Sequence, residues 1–355
     1  MYGVCLNLTC DYSELINYLT GLLPGQTGPP FEDPDLEVTA SWRSGPCERG
    51  ASLFPDSSQM SALGKRMQIA KDELVWFDTH RDKDLQLRFR RNNNALLFDV
   101  AYCYQPSQKK AAKYPNFEHK KFFDLLRYFV HFPIAWHLER TRGWSLFHAS
   151  AVAKGDQAVL VAGPGGAGKT TTCVALAARD GWTLLTENLL FSDGSQIFPL
   201  VEPLRLTEAS LALLHDDLKQ LNPIEFPSGL RSKSMFWLPG GPVFQAAQPV
   251  ALFIPRFSPK GFIHPISPGI ASEQIGAINR LTLELNDYYW YTAALDLLWP
   301  KPGNAQKQLD VLNALTMKTP CYSLGVDRSA GVVPVVDQVL RCLDGSLSAM
   351  ENGRI

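Results

Sequence analysis

Residues 157–178 read QAVLVAGPGGAGKTTTCVALAA: an apolar run, a glycine-rich turn, then an alanine-rich run. Gly163, Pro164, Gly165, Gly166, Ala167, Gly168, Lys169 and Thr170 satisfy the pattern G-x-x-x-x-G-K-[ST] at every position. Few features constrain a chain more. The glycines let the backbone curl until successive N–H groups point inward, which suits phosphate oxygens. A helix beginning at Lys169 adds its positive end, and Thr171 continues its first turn. Lys169 is expected to reach the β- and γ-phosphates of a nucleotide, and Thr170 to offer its hydroxyl to Mg²⁺. The bland reading is a plain glycine turn between strand and helix; a chance match with both flanks correct is rare.

The rest of the chain bounds the setting. With 355 residues there is room for two domains. An apolar fraction of 45% and a charged fraction of 19% fit a packed globular chain rather than a disordered one. The net charge of −1 supplies no general field for nucleic acid or a membrane surface, so neither is expected as a partner. The most apolar long segment, Phe122–Leu138, carries Asp124, Arg127, His131 and His137, which argues against a membrane span. Seven scattered cysteines without a CxxC pair suggest reduced thiols and no structural zinc. With no signal-peptide pattern at the start, the expected location is cytoplasmic.

The predicted fold class is α/β, with a mixed α+β sheet. Residues 1–114 read as a β-rich N-terminal domain, with strands at 36–43, 73–80, 85–92 and 95–104. Residues 115–143 read as a bridging helical segment, with apolar residues at helical spacing and Pro133 kinking or dividing it. Residues 144–355 read as the nucleotide domain. There SLFHASAVAK, QAVLVAG, WTLLTENLLF and QIFPL are read as strands around the loop and its helix. Further on, VALFIPRF and CYSLGV read as strands, while SEQIGAINRLT, YWYTAALDLLW and VVPVVDQVLRCL read as helices.

Two acids follow the loop's helix. Asp193, in SDGS between two apolar runs, reads as a hairpin-turn residue. Glu187 ends WTLLTE on the next strand, where strand ends on the loop's side face the phosphates, so it is a candidate metal ligand or base. Its alternative is a solvated strand-end carboxylate. His148, taken alone, reads as a core histidine. Arg205, in VEPLRL, and Arg231 and Lys233, in a polar segment before an aromatic run, are candidate phosphate or acceptor contacts; their alternative is plain surface charge. The eight tryptophans read as core anchors. No N-K-x-D motif for guanine is found.

LFHASAVA, a short turn, AVLVAGPGGAGKTTT and then an acidic strand together resemble the catalytic domain of HPr kinase/phosphorylase, and more closely the HPr-kinase-related proteins of bacteria. The layout covers roughly residues 120–345, while the specific motifs lie between His148 and Asn188. The resemblance implies a mixed sheet similar to the C-terminal domain of phosphoenolpyruvate carboxykinases. It implies His148 as an active-site histidine, and Glu187 in place of the first of two adjacent aspartates, the proposed base for an acceptor hydroxyl. Asn188 falls on the second, so the chain departs from the acidic pair. The HPr enzymes are hexameric, and a homo-oligomer is left open here.

The expectation is therefore an ATP- and Mg²⁺-dependent kinase acting on a hydroxyl of a protein, peptide or small molecule. Lys169 and Thr170 hold phosphate and metal, and Glu187 serves as base or metal ligand. Two rivals stand beside it: a non-catalytic nucleotide-binding regulatory module, and a switch-type NTPase.

Overall fold

The computed structural model describes every residue except 47–51, 55–59, 80, 81, 93, 94, 115, 116, 215–220, 225–232, 238–240, 242, 303 and 352–355. It is a mixed α/β chain with mixed sheets. Two compact units form: Met1–Thr141 with Asp287–Asn304, and Arg142–Glu225 with Lys233–Asn286 and Ala305–Ile355. No helix among the described residues is long and apolar enough to cross a membrane.

In the first unit the elements are β1 (Leu6–Cys10), α1 (Ser13–Gly21), β2 (Leu36–Ser44), β3 (Ser61–Ala62), β4 (Met67–Ala70), β5 (Glu73–Trp76), β6 (Leu85–Asn92), β7 (Ala95–Tyr104), α2 (Gln108–Lys113), α3 (Phe117–Leu126) and α4 (Phe132–Arg142). The strands form one sheet in the order β1-β2-β7-β6-β5-β4-β3, parallel across β1, β2 and β7 and antiparallel beyond. On β2, Leu36, Val38, Ala40 and Trp42 point into the core while Glu37, Thr39 and Arg43 face out, the period-two alternation of a half-buried strand. Neither β1 nor α1 was foreseen, and β5 is shorter than the strand expected at 73–80.

The helical segment behaves differently from a simple proline kink. Between α3 and α4 the chain makes a π-helical turn, Arg127–His131, closed by Phe132 N–H to the Arg127 carbonyl. Pro133 has no N–H to give to the carbonyl one turn back, and its ring crowds that turn, so the ladder widens just before it. Among the described residues, Cys5, Cys10, Cys173, Cys321 and Cys342 lie outside disulfides, but Cys103 on β7 is disulfide-bonded. That corrects the expectation of uniformly reduced thiols and removes the compositional argument for a reducing compartment. Spacing along the chain carries no information about which cysteines the fold brings together.

The second unit contains β8 (Ser145–His148), β9 (Ser150–Lys154), β10 (Gln157–Val161), α5 (Lys169–Ala177), β11 (Thr183–Thr186), β12 (Leu189–Ser192), β13 (Ile197–Pro199), β14 (Leu204–Thr207), α6 (Glu208–Leu213), β15 (Asn222–Pro223), β16 (Lys233–Trp237), β17 (Gln248–Phe257), β18 (Phe262–Pro265), α7 (Pro268–Leu281), α9 (Asn304–Lys318), β19 (Cys321–Val326) and α10 (Val333–Glu351). α8 (Leu283–Leu298) starts here, and its residues from Asp287 onward belong to the first unit. The main sheet runs β11-β9-β10-β17-β19-β18, with β10, β17 and β19 parallel. Its two faces carry separate apolar clusters. Ala151, Ala158, Leu160, Leu252 and Ile254 pack with Ala271, Ile275 and Ile278 of α7 and Leu312 and Leu315 of α9. Val152, Val159, Val161, Ala251 and Phe253 pack with Cys173, Val174 and Leu176 of α5 and Val335, Val336 and Val339 of α10. A strand buried on both faces reads as a continuous apolar run, which is what QAVLV is. α9 was not foreseen.

The two strands expected as SLFHASAVAK and WTLLTENLLF are each broken. β8 and β9 separate at Ala149, and β11 and β12 separate at Glu187–Asn188. The first half of one and the second half of the other join β13 in a small separate sheet, order β13-β12-β8, with Leu189 opposite His148. Their other halves stay in the main sheet, with Thr186 opposite Ala151. Neighbouring strands thus change sheets at one level, and the crossing peptides lose their ladder partners. Side chains replace them: Ser150 Oγ donates to the Glu187 carbonyl at 2.6 Å, and Thr186 Oγ1 lies 2.8 Å and 3.0 Å from the carbonyls of Leu189 and Leu200.

Ser150→Ala leaves the buried Glu187 carbonyl without that donor and is expected to cost about 1–2 kcal/mol. Ser195→Ala, on the exposed β12–β13 turn, should cost less than about 0.5 kcal/mol. Urea midpoints of the two variants measure the difference; equal midpoints would show that the crossing does not depend on Ser150.

Candidate functional site

The glycine loop connects the carboxyl end of β10 to α5. Gly166 and Gly168 have φ of +81° and +95°, a region L side chains rarely enter. Gly168 is the residue before α5, which has neither a side-chain cap nor an acid in its first turn. The N–H groups that begin any helix are thereby presented to whatever occupies the loop. Inside the loop, Ala167 N–H bonds the Pro164 carbonyl at 3.2 Å, and Lys169 Nζ lies 3.2 Å from the same oxygen. Lys169 folds over the loop and is only 6% exposed. Burial pushes its pKa below the ordinary lysine value, and the negative charge of Glu187 works against that shift.

Glu187 sits one residue beyond β11, in the sheet crossing rather than on the strand where it was expected. Its Oε2 accepts from Thr170 Oγ1 at 2.9 Å, and its Oε1 accepts from Arg205 Nε at 3.2 Å. The crossing thus brings together Lys169, Thr170, Glu187 and Arg205, four residues from three chain segments. Arg205 lies within β14, not after a strand. Burial disfavours its charge, but the carboxylates of Glu187, Glu202 and Glu284 outweigh burial and hold it firmly protonated.

Asn188 turns its amide to Glu202, with Nδ2 donating to Oε2 at 3.0 Å. His148, on β8, gives its backbone N–H to Asn279 Oδ1 at 3.1 Å, and its ring lies close to the Asn188 backbone. His148 Nδ1 is buried with no partner among the described residues. Burial, followed by the positive charge of Lys169, pushes its pKa down to about 4. The imidazole is therefore neutral at pH 7.

Lys233 was expected in a polar loop; it is the exposed first residue of β16, and its charge is felt at Lys169. Arg231 lies outside the described residues. Asp193 is a turn residue: its Oδ1 accepts from Ser195 N, Ser195 Oγ and Gln196 N at 2.7–2.8 Å. Sequence reasoning missed Glu202, Glu284 and Asn279. Glu202 had a signal, since it stands three residues before Arg205 in a segment already singled out. The other two had none, because they lie on helices 131 and 136 residues beyond His148 in the chain. Compared whole, the chain matches no family model and no curated protein.

The shift at His148 makes stability depend on pH. The unfolded histidine, near 6.5, takes up a proton that the folded one refuses until about 4. Stability from this residue is complete above the unfolded value and lost as pH falls through that window, by on the order of 3 kcal/mol in total. His148→Gln should flatten the stability profile between pH 6.5 and 4, measured by urea unfolding at stepped pH. A profile as steep as that of the unsubstituted chain would place the titration elsewhere.

Proposed function

We propose that the chain is an ATP- and Mg²⁺-dependent phosphotransferase of the HPr-kinase-like type, acting on a hydroxyl acceptor. The observation that carries this reading is the 2.9 Å contact between the Thr170 hydroxyl and the Glu187 carboxylate at the start of the loop's helix. It puts a carboxylate beside the positions that the loop pattern assigns to the terminal phosphates.

The donor set suits Mg²⁺. Thr170 and Glu187 offer neutral and anionic oxygen, as a hard cation requires, and Mg²⁺ is ordinarily held by one or two protein oxygens with phosphate and water completing its shell. No group of three His, Cys, Asp or Glu side chains converges among the described residues, and this ion needs none. When bound, it would offset charge on the phosphates.

The chain's own residues then divide the work. Backbone N–H groups of Gly165, Gly166, Gly168, Lys169 and Thr170 and the Lys169 ammonium hold the donor phosphates. Glu187 is assigned the acceptor's proton. Its bonds from Thr170 and Arg205 leave further lone pairs on both oxygens. As the acceptor oxygen bonds to the γ-phosphorus, its O–H proton passes to Glu187. The bond to the bridging oxygen breaks, and its electron pair leaves on ADP. His148, with a pKa about 4, is a poor proton acceptor at pH 7; its part is to hold the crossing in place. The β-rich first unit is assigned acceptor recognition. The non-catalytic rival draws on one specific contact: Asn188, neutral and tied to Glu202, leaves a single acid facing Thr170.

Labelled γ-phosphate transfer from ATP, to candidate acceptor proteins and to water, tests the assignment. Lys169→Ala should weaken MgATP binding about tenfold or more, and Glu187→Gln should retain binding while losing about 10²–10⁴ in rate. Unchanged nucleotide affinity in Lys169→Ala would remove the loop from the account, and full transfer by Glu187→Gln would remove the base. Tight MgATP binding with no transfer to any acceptor or to water would favour the non-catalytic module.

A further inference from the structure

The site holds a cation that phosphate binding by the loop does not require. Arg205 reaches it from β14, an element outside both the loop and its helix. Its Nε lies 3.2 Å from Glu187 Oε1, and Glu187 Oε2 lies 2.9 Å from Thr170 Oγ1. One carboxylate therefore separates the guanidinium from the hydroxyl at the first turn of α5. In the nucleotide reading, that hydroxyl lies on the side of the β- and γ-phosphates. Arg205 is accordingly placed, as Lys169 is by the loop pattern, toward the terminal end of a bound polyphosphate.

We propose that Arg205 reads the terminal phosphate: it bridges Glu187 and the γ-phosphate of a bound nucleoside triphosphate, and so makes the site prefer triphosphate to diphosphate. This rests on the nucleotide reading above and adds a specificity determinant to it. A guanidinium carries five N–H donors in a planar fork, so a bond to Glu187 and a bond to a phosphate oxygen can be made together. Arg205 and Glu187 are 16% and 8% exposed at their side chains, so a phosphate oxygen reaching them meets little screening by water. The pair also explains the placement. An arginine left alone in that position would be a buried, uncompensated charge, and Glu187 keeps it paired whichever nucleotide is bound.

A purely structural role makes a different forecast. If Arg205 only held Glu187 in place, its loss would weaken every nucleotide equally. If it touches the γ-phosphate, its loss removes the difference between nucleotides. The experiment is calorimetric titration of the full chain with the non-hydrolysable triphosphate MgAMPPNP and with MgADP. The unsubstituted chain should bind the triphosphate about tenfold or more tightly, the size of one charge-assisted hydrogen bond. Arg205→Gln should bring that ratio below about threefold while leaving MgADP affinity within about twofold.

Arg205→Gln also removes one of the two cations, with Lys169, that act on Glu187, so it can fail to fold. The paired variant Glu187→Gln/Arg205→Gln removes both charges and is compared with Glu187→Gln alone. The single variant should keep the preference for triphosphate, and the double variant should lose it. A preference that survives in the double variant overturns the proposal, as does an equal loss for both nucleotides. Failure of the unsubstituted chain to bind either nucleotide sinks the nucleotide reading itself, and this inference with it. Binding of both with equal affinity sinks this inference alone.

Discussion

Glu187 is held from three directions, and most of the second unit can be understood as the means of holding it. Its carbonyl is fixed by Ser150, one carboxylate oxygen by Thr170 and the other by Arg205. These partners come from β9, α5 and β14, elements with no shared local structure. What aligns them is the level at which two neighbouring strands leave the main sheet. Without the break at Glu187–Asn188, the strand would continue in register and its side chains would keep alternating between the two apolar faces. The break frees a polar residue from that alternation and lets it turn toward the start of α5. Breaking a buried ladder leaves backbone groups to satisfy, which is why small hydroxyl residues, Ser150 and Thr186, stand at the crossing.

The charges around that crossing are arranged in pairs, and burial sets their strength. Lys169, Glu187, Glu202 and His148 are each less than one-tenth exposed. In such surroundings a lone charge is costly, and a group with no partner gives up its charge instead. Both outcomes occur side by side. Arg205 keeps its charge because three carboxylates act on it, whereas His148, beside Lys169, loses its own. A neutral imidazole next to Lys169 adds no second positive charge beside it.

What the sequence reveals divides along physical lines. The strand, loop and helix from Gln157 to Ala177 were legible because a glycine pattern and two apolar runs are local signals. Cys321–Val326 and the Asp193 turn were legible for the same reason. The sheet crossing was not. An apolar run such as WTLLTENLLF reports that its residues are buried, not which sheet buries each half. Glu284 and Asn279 could not be found either, since helices well over a hundred residues from His148 deliver them, and no spacing rule reaches that far. Arg205 was visible as a candidate but not as a partner. Its pairing with Glu187 depends on β14 and the crossing lying side by side, which emerges only from tertiary packing.

Asn188 bears on the one departure from the acidic pair that the sequence resemblance expects. Its amide donates to Glu202 across 3.0 Å. An aspartate at 188 would set two carboxylates against each other there, and like charges so close force one of them to take up a proton. The asparagine and Glu202 therefore belong together: each makes the other tolerable in a buried position. A second acid, Glu202, stands near the crossing, on the segment that also supplies Arg205. One carboxylate, that of Glu187, faces Thr170. In the phosphotransfer reading, proton acceptance and metal contact then fall on the same residue, Glu187, and Arg205 is the cation placed to steady both.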